Sequence, residues 1–204
     1  MPTTAPDKTK NKQLGPPNTS ADFDRVYKTP FHWIWTDARI PKELKDLLED
    51  NKPESSLELG CGTGRFSAYV AAQGVHATAV DFSQVAIEKA KSRLAGRTQQ
   101  PHFMVGDVTD LKNIHLQFDV SFDIGCFHCL DAAGEKKYAN ELARVLKSGG
   151  THLIWALDTS PSDIKLSAEY IAGVFSEKFE LVKAAARRRR LAASHWYWLQ
   201  RKSM

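Results

Sequence analysis

Leu57-Glu58-Leu59-Gly60-Cys61-Gly62-Thr63-Gly64 sets three glycines at alternate positions, directly after a short apolar run and directly before a helical one. Glycines spaced in this way let the backbone turn tightly and approach a ligand closely. The run that leads in, SSLELG (55–60), has strand character, and GRFSAYVAAQG (64–74) reads as a helix closed by Gly74. A strand, a glycine turn and a helix in that order form the opening unit of an open α/β sheet.

The alternation continues outward. HATAVD (76–81) reads as a second strand, QVAIEKAKSRLA (84–95) as a helix, PHFMVGD (101–107) as a third strand and FDVSFD (118–123) as a fourth. GEKKYANELARVLKSGG (134–150) reads as a helix with a glycine stop, and THLIWAL (151–157) as the fifth strand. After a short helix near Ala168–Phe175, FELVKAAARRR (179–189) and SHWYWLQRK (194–202) follow with no helix between them, so they pair as an antiparallel hairpin. The expected fold is α/β: a Rossmann-like, seven-stranded, mostly parallel sheet with a C-terminal antiparallel hairpin and helices on both faces.

Acidic residues at the strand ends give the glycine turn chemical meaning. Asp81 lies 17 positions beyond Gly64 and can accept hydrogen bonds from both hydroxyls of an adenosine ribose. The dinucleotide fingerprint is G-x-G-x-x-G, whereas Gly60, Gly62 and Gly64 stand two apart, which disfavours a nicotinamide cofactor. Glu58 just before the turn would repel a pyrophosphate and favours a cationic ligand such as a sulfonium with an α-amino group. Asp107 in GDVTD could accept from an adenine amino group while the Val108 N–H donates to a ring nitrogen; Phe82 and Val85 could wall the adenine or ribose. Asp119 begins a strand instead of ending one, so a structural role away from the ligands is expected.

The segments ELGCGTGRFSAYVAAQG, AVDFS, AIEKAKSRL, GDVTDL, FDVSFDIGCFHCL and ELARVLKSGG together resemble the class I S-adenosylmethionine-dependent methyltransferases over residues 56–157. The resemblance implies S-adenosylmethionine as cofactor. Its methionine end would be lined by Glu58, Gly60, Cys61, Gly62 and Gly64, its ribose held by Asp81 and its adenine by Asp107. The segments YKTPFHWIWTDARIPKELKDLL and FDIGCFHCL are similar to the thiopurine, thiol and halide methyltransferases, a group that also takes in tellurite-resistance-type enzymes. Methyl transfer to a small molecule is therefore expected, to a thiol or other soft nucleophile first. A hydroxyl or amine of a small metabolite is the alternative, and a nucleic acid or protein comes after both.

Candidates for the transfer step are Asp123, His128 and Trp33, with His32 beside them. Asp123 at the end of strand four could bind the α-ammonium group, shape the acceptor site or cap the following turn. His128 has the intrinsic pKa of a base, and a histidine bonded to backbone is the alternative. Cys126, His128 and Cys129 show a C-x-H-C spacing with no fourth ligand nearby, so no metal site is expected. Trp33, with Phe23, Tyr27 and Trp35, would form a lid or pack as plain core. Trp155, Trp196 and Trp198 are expected in the core, with Tyr197 on the opposite face.

Length and composition agree with this reading. At 204 residues, 42% hydrophobic and 25% charged, the chain suits one domain. Residues 1–20 read as a disordered tail, and residues 21–204 as the catalytic domain with an aromatic lid segment over 21–50. The three cysteines suit a reducing compartment; no apolar stretch is long enough to span a membrane, and a cytoplasmic location is expected. Much of the net charge of +4 lies in the first 12 residues and in Arg187–Arg190, a solvated strand end or a phosphate patch. With no stacking platform beside that run, nucleic acid is not the expected partner. A monomer or weak homodimer is expected.

Overall fold

Alternating strand and helix patterns become seven strands and six helices in the computed structural model, which describes residues 19–29, 39–160, 163–189 and 192–203. The helices are α1 (Ser20–Lys28), α2 (Lys42–Asn51), α3 (Arg65–Ala72), α4 (Gln84–Leu94), α5 (Ala132–Val145) and α6 (Ala168–Phe175). The strands are β1 (Ser55–Leu59), β2 (His76–Asp81), β3 (His102–Val105), β4 (Phe118–Ile124), β5 (Leu146–Leu157), β6 (Phe179–Arg189) and β7 (Ala192–Arg201). They lie in the order β3-β2-β1-β4-β5-β7-β6. The first five are parallel to one another, and β7 runs antiparallel between β5 and β6. The chain leaves β1 toward β2 and β3, then returns to β4 on the other side. A reversal of that kind opens a crevice at the carboxyl ends of β1 and β4.

Both faces of the sheet are covered. Leu57, Leu59, Ile154, Ala156 and Tyr197 face α5 and α6, while Val120, Phe122, Leu153, Trp155 and Trp196 face α2 and α3. Trp155 and Trp196 are buried, Trp198 is half-buried beneath the Lys183 ammonium, and Tyr197 points to the opposite face. Helix α2 has no side-chain cap at Pro41, so burial of Leu44 and Leu47 must hold it. Each such side chain contributes roughly 1.5–3 kcal/mol, more than a cap supplies.

Three boundaries differ from the sequence reading. Helix α1 starts at Ser20, with a reciprocal cap between Thr19 and Asp22, so the helix and its cap take in Thr19 and Ser20, the last two residues of the stretch read as a tail. Strand β3 ends at Val105, four residues long, because Asp107 turns its carboxylate onto the Thr109 amide instead of extending the ladder. Helix α5 stops at Val145, and Leu146–Gly150 joins β5. There Leu146 pairs with Phe118 and Thr151 with Val120, so the intervening residues bulge out, with Gly149 at a φ of 76°. The glycines serve the bulge, not a helix cap.

Asp119 secures the end of the sheet remote from the crevice. Its Oδ2 accepts from the Glu54 and Ser55 amides at 3.1 and 2.8 Å and from Ser55 Oγ at 2.8 Å, and Lys147 Nζ lies 2.6 Å from Oδ1. Desolvation works to raise its pKa, but the hydrogen bonds from Lys147 and Ser55 prevail and bring it down to about 2. Its stabilising share is present above the ordinary carboxylate pKa and is lost as pH falls toward about 2.

Two stability outcomes follow from this architecture. Asp119→Ala should lower the free energy of unfolding at neutral pH by about 2 kcal/mol, since hydrogen bonds to a charged group are lost and four donors lose their acceptor. An unchanged denaturation midpoint would remove Asp119 from the framework. Gly64 has a φ of 68°, and a Cβ there would stand 2.3 Å from the buried Phe103 ring. Gly64→Ala should cost about 2–5 kcal/mol, from left-handed strain plus overpacking; urea unfolding monitored by circular dichroism measures it.

Candidate functional site

Strand β1 delivers the glycine turn to the crevice, and β2 secures it from the side. The Gly60 and Cys61 amides donate to Val80 O at 2.8 and 2.9 Å, and the Gly62 amide donates to Asp81 Oδ2 at 2.7 Å. Asp81 Oδ1 accepts from the Ser83 amide at 2.9 Å. One carboxylate thus ties the turn to the start of α4, and each of its oxygens keeps a further lone pair. A Cβ at Gly60 would stand 2.4 Å from Cys126 Cβ, so the turn after β4 presses directly on the glycine turn. Cys61 is buried at the back of the turn.

Glu58 is 2% exposed, beneath the turn, with Oε2 accepting from the Ser67 amide in the first turn of α3 at 2.8 Å. Asp123 at the end of β4 is fully buried: Oδ1 accepts from the Cys126 amide at 2.7 Å, and Oδ2 from the Phe127 amide at 2.7 Å and the Tyr138 hydroxyl at 3.1 Å. Of the three roles open to Asp123, these bonds are those of a cap on the following turn. Burial pushes Glu58 up to about 8, with Asp81 and Asp123 adding repulsion and the Ser67 amide opposing. Burial likewise pushes Asp123 up to about 7 against its amide donors, and raises Asp81. Among the described residues no Lys or Arg forms an ion pair with any of the three.

Sequence reading missed the polar chain behind Asp123. Tyr138 Oη lies 3.0 Å from His152 Nε2, and His152 Nδ1 lies 2.8 Å from Ser121 Oγ, all fully buried. The signal was available: Ser121 and Asp123 stand two apart in β4, and His152 occupies the same face of β5 as Ile154 and Ala156.

Helix α1 covers the turn from above. Ser20 Oγ donates to Phe82 O at 2.9 Å, the Val85 amide donates to Asp24 Oδ1 at 3.3 Å, and the Phe23 and Phe82 rings meet at 5.1 Å. The Tyr27 hydroxyl stands 2.6 Å from where a Cβ on Gly62 would be. Burial, reinforced by the Asp81 carboxylate, raises the Tyr27 pKa and keeps the phenol neutral. Phe82 and Val85 are half-buried beside this contact, whereas Asp107 is exposed with Oδ1 occupied by Thr109, and Val108 is buried.

His128 sits in the short 3₁₀ turn Phe127–Cys129, edge-on to Trp155 with ring centroids 6.0 Å apart. Its Nδ1 is buried without a hydrogen-bond partner among the described residues, and burial lowers its pKa to about 4. The backbone bond set beside the base role in the sequence reading is not made at that nitrogen among the described residues. Burial raises all three thiols, Cys129 to about 12, so they stay protonated. Among the described residues no three His, Cys, Asp or Glu side chains are grouped to hold a metal ion, and no helix is long and apolar enough to cross a membrane. Trp33 and His32 lie outside the described residues.

Residues 57–150 match the family model described as a methyltransferase domain. A demethylmenaquinone methyltransferase of Clavibacter sepedonicus is 38% identical over 109 residues, covering 53% of this chain and 43% of that protein. The chain spans half or less of the length of the first curated relatives it matches. The N-methyltransferase NodS of Bradyrhizobium japonicum, solved with S-adenosyl-L-homocysteine, superposes with a TM-score of 0.77 at 19% identity over 92% of this chain and all of that one. A 1,6-didemethyltoxoflavin-N1-methyltransferase of Burkholderia thailandensis, also with S-adenosylhomocysteine, gives 0.76 at 20% identity over 90% and 87%. Other relatives carry the names of N- and O-methyltransferases. Glycine turn, strand-end carboxylates and family match coincide on the same residues: residues 57–150 are a methyltransferase domain, and the sheet has the class I S-adenosylmethionine-dependent methyltransferase fold.

Proposed function

We propose that the chain binds S-adenosylmethionine across the β1–β4 crevice and catalyses transfer of its methyl group to an oxygen or nitrogen of a small molecule. The observation that carries the cofactor reading is the burial of Glu58, Asp81 and Asp123 around one glycine turn with no Lys or Arg ion-paired to them among the described residues. Such a cluster favours a positively charged ligand, and a sulfonium with an α-ammonium group supplies two charges. When bound, the cofactor provides a methyl group on a positive sulfur.

The chain's own residues would then align and enclose. The free lone pairs of Asp81 can take ribose hydroxyls, the open carboxylate oxygen of Asp107 an adenine amino group, and the backbone of Gly60–Gly64 the methionine end. Tyr27 and α1 form the described part of the lid; the Tyr27 hydroxyl must share or yield the space over Gly62. Excluding water and holding donor and acceptor in line account for most of such catalysis. His128 Nδ1 has no partner among the described residues and is suited to accept a hydrogen bond from the methyl acceptor. The relatives' names favour oxygen and nitrogen over the thiol that sequence resemblance put first. Three free thiols fit a reducing compartment such as the cytoplasm.

Isothermal calorimetry with S-adenosylmethionine and S-adenosylhomocysteine is the direct test, and absence of binding for both ends the proposal. Asp81→Asn should weaken both ligands by about 10–100-fold, the cost of lost charge-assisted hydrogen bonds. Incubation with labelled donor and a panel of phenols, amines and thiols should place the label on oxygen or nitrogen; label on thiols alone would restore the soft-nucleophile reading.

Binding should also release protons. Glu58 and Asp123 titrate near 8 and 7 because they are buried, and a cationic ligand favours their ionised forms. Affinity for S-adenosylmethionine should therefore rise with pH from 6 to 8, and calorimetry in two buffers of different ionisation enthalpy should report net proton release near pH 7. Without ligand the sign reverses. The folded chain holds protons that the unfolded chain gives up, so these groups make folding less favourable as pH climbs through the same window. Proton uptake on binding, or none, would contradict the carboxylate assignment.

A further inference from the structure

His195 Nε2 and Asp158 Oδ1 lie 2.8 Å apart at the carboxyl edge of the sheet, outside every role assigned so far. Strand β7 is antiparallel, so its first residues rise at the same edge as the ends of β4 and β5. The register places them: Ile124 pairs with Trp155 and Trp155 with Trp196, while His195 pairs with Ala156, one step farther out. The Gly125 amide donates to Trp155 O at 3.1 Å, so Gly125, Ala156 and His195 stand at one level across three strands. Two strand spacings separate His195 from the turn after β4, about 10 Å. His195 stacks on Tyr197, which belongs with Phe127 and Ala156 to one cluster, so the pair shares the sheet face along which the chain leaves β4.

The pair is held from several sides. The Asp158 amide donates to Ala193 O at 3.1 Å, and Asp158 O accepts from the Leu166 amide at 2.8 Å. The Tyr197 hydroxyl beneath His195 is committed to Leu166 O. The His195 side chain is 25% exposed and that of Asp158 36%, so solute and water can reach them. With Nε2–H directed at the carboxylate, the neutral tautomer leaves the Nδ1 lone pair unused among the described residues.

We propose that His195, oriented by Asp158, is the general base of the acceptor site, taking the proton from a small-molecule group such as a phenol hydroxyl. The proposal rests on the methyltransferase reading and extends it to the acceptor. The acceptor's O–H bond breaks, its proton goes to Nδ1, and the freed electron pair forms the bond to the methyl carbon while the carbon–sulfur pair stays on sulfur. The Asp158 carboxylate faces the imidazolium so formed, and the proton leaves to solvent. Thiols need little such help, whereas a phenol with a pKa of about 10 is almost wholly protonated at neutral pH. His128, within its dry pocket, is suited to hydrogen bonding and poorly suited to holding a proton.

The test uses the full chain saturated with S-adenosylhomocysteine and 4-nitrophenol as probe, at a pH where free probe is mostly protonated. Phenol and phenolate absorb at separate wavelengths. Wild type should bind the probe with a gain of phenolate absorbance; His195→Gln and Asp158→Asn should lose that gain while binding S-adenosylhomocysteine as before. Turnover of any phenol found to be a substrate should fall by about 100-fold or more in His195→Gln, the usual share of a general base. Wild type that binds no probe, binds it without ionisation, or ionises it equally in both variants overturns the proposal. Failure to bind S-adenosylhomocysteine would instead overturn the methyltransferase reading, so the two failures are separable. A pair that only staples the β5–α6 loop to the hairpin would lower the melting temperature of the variants and leave phenolate formation intact.

Discussion

Taking a carboxylate out of water is costly, and three of them, Glu58, Asp81 and Asp123, are withdrawn together at the meeting of β1, β2 and β4. Backbone amides carry most of the compensation: Ser67 for Glu58, Gly62 and Ser83 for Asp81, Cys126 and Phe127 for Asp123. Each acceptor thereby dictates a local chain path. Glu58 sets the start of α3, Asp81 the glycine turn and the start of α4, and Asp123 the exit from β4. The hydrogen bonds that satisfy the charges also shape the crevice. Amides lessen the desolvation penalty without cancelling the charge, which leaves a site whose electrostatics are completed by a cation.

How far this was legible in the sequence differs by level. The strands and the hairpin could be read because buried parallel strands are short apolar runs with punctuated ends, as in HATAVD and FDVSFD. The glycine turn was legible because only glycine tolerates such φ values and such close neighbours. Boundaries failed where side chains compete with the ladder. Asp107 ended β3 by bonding Thr109, and LKSGG formed a bulge because Lys147 reaches back to Asp119. Neither contact has a local sequence signature.

Within the site, strand-end acids were identified but their orientation was not. Glu58 was read as lining a ligand, yet its Oε2 accepts from the Ser67 amide; for Asp123 a cap on the following turn was one of three roles left open, and its bonds are of that kind. Tyr138 and His152 went unnoticed because their partners are 15 and 31 residues away from them in the chain, Asp123 and Ser121. The crossover 108–117 has no periodic pattern in the sequence for a related reason. Its order comes from Arg144, whose guanidinium grips the carbonyls of Leu111 and Ile114, both at 2.6 Å. A loop organised by a distant guanidinium carries no periodicity of its own.

Placing β7 between β5 and β6 bears on how the chain must come together during synthesis. Strand β5 is the longest of the sheet, and its outer edge is completed only by residues 192–201, which leave the ribosome after the other six strands. Until then the seven β5 residues Thr151–Leu157 face outward without a partner strand, and β6 has nothing to join. Such an open flank invites pairing with another nascent chain. Closure of the sheet is therefore a late, long-range event, and damage to SHWYWLQRK would be felt first as aggregation during expression, before any effect on chemistry could be measured.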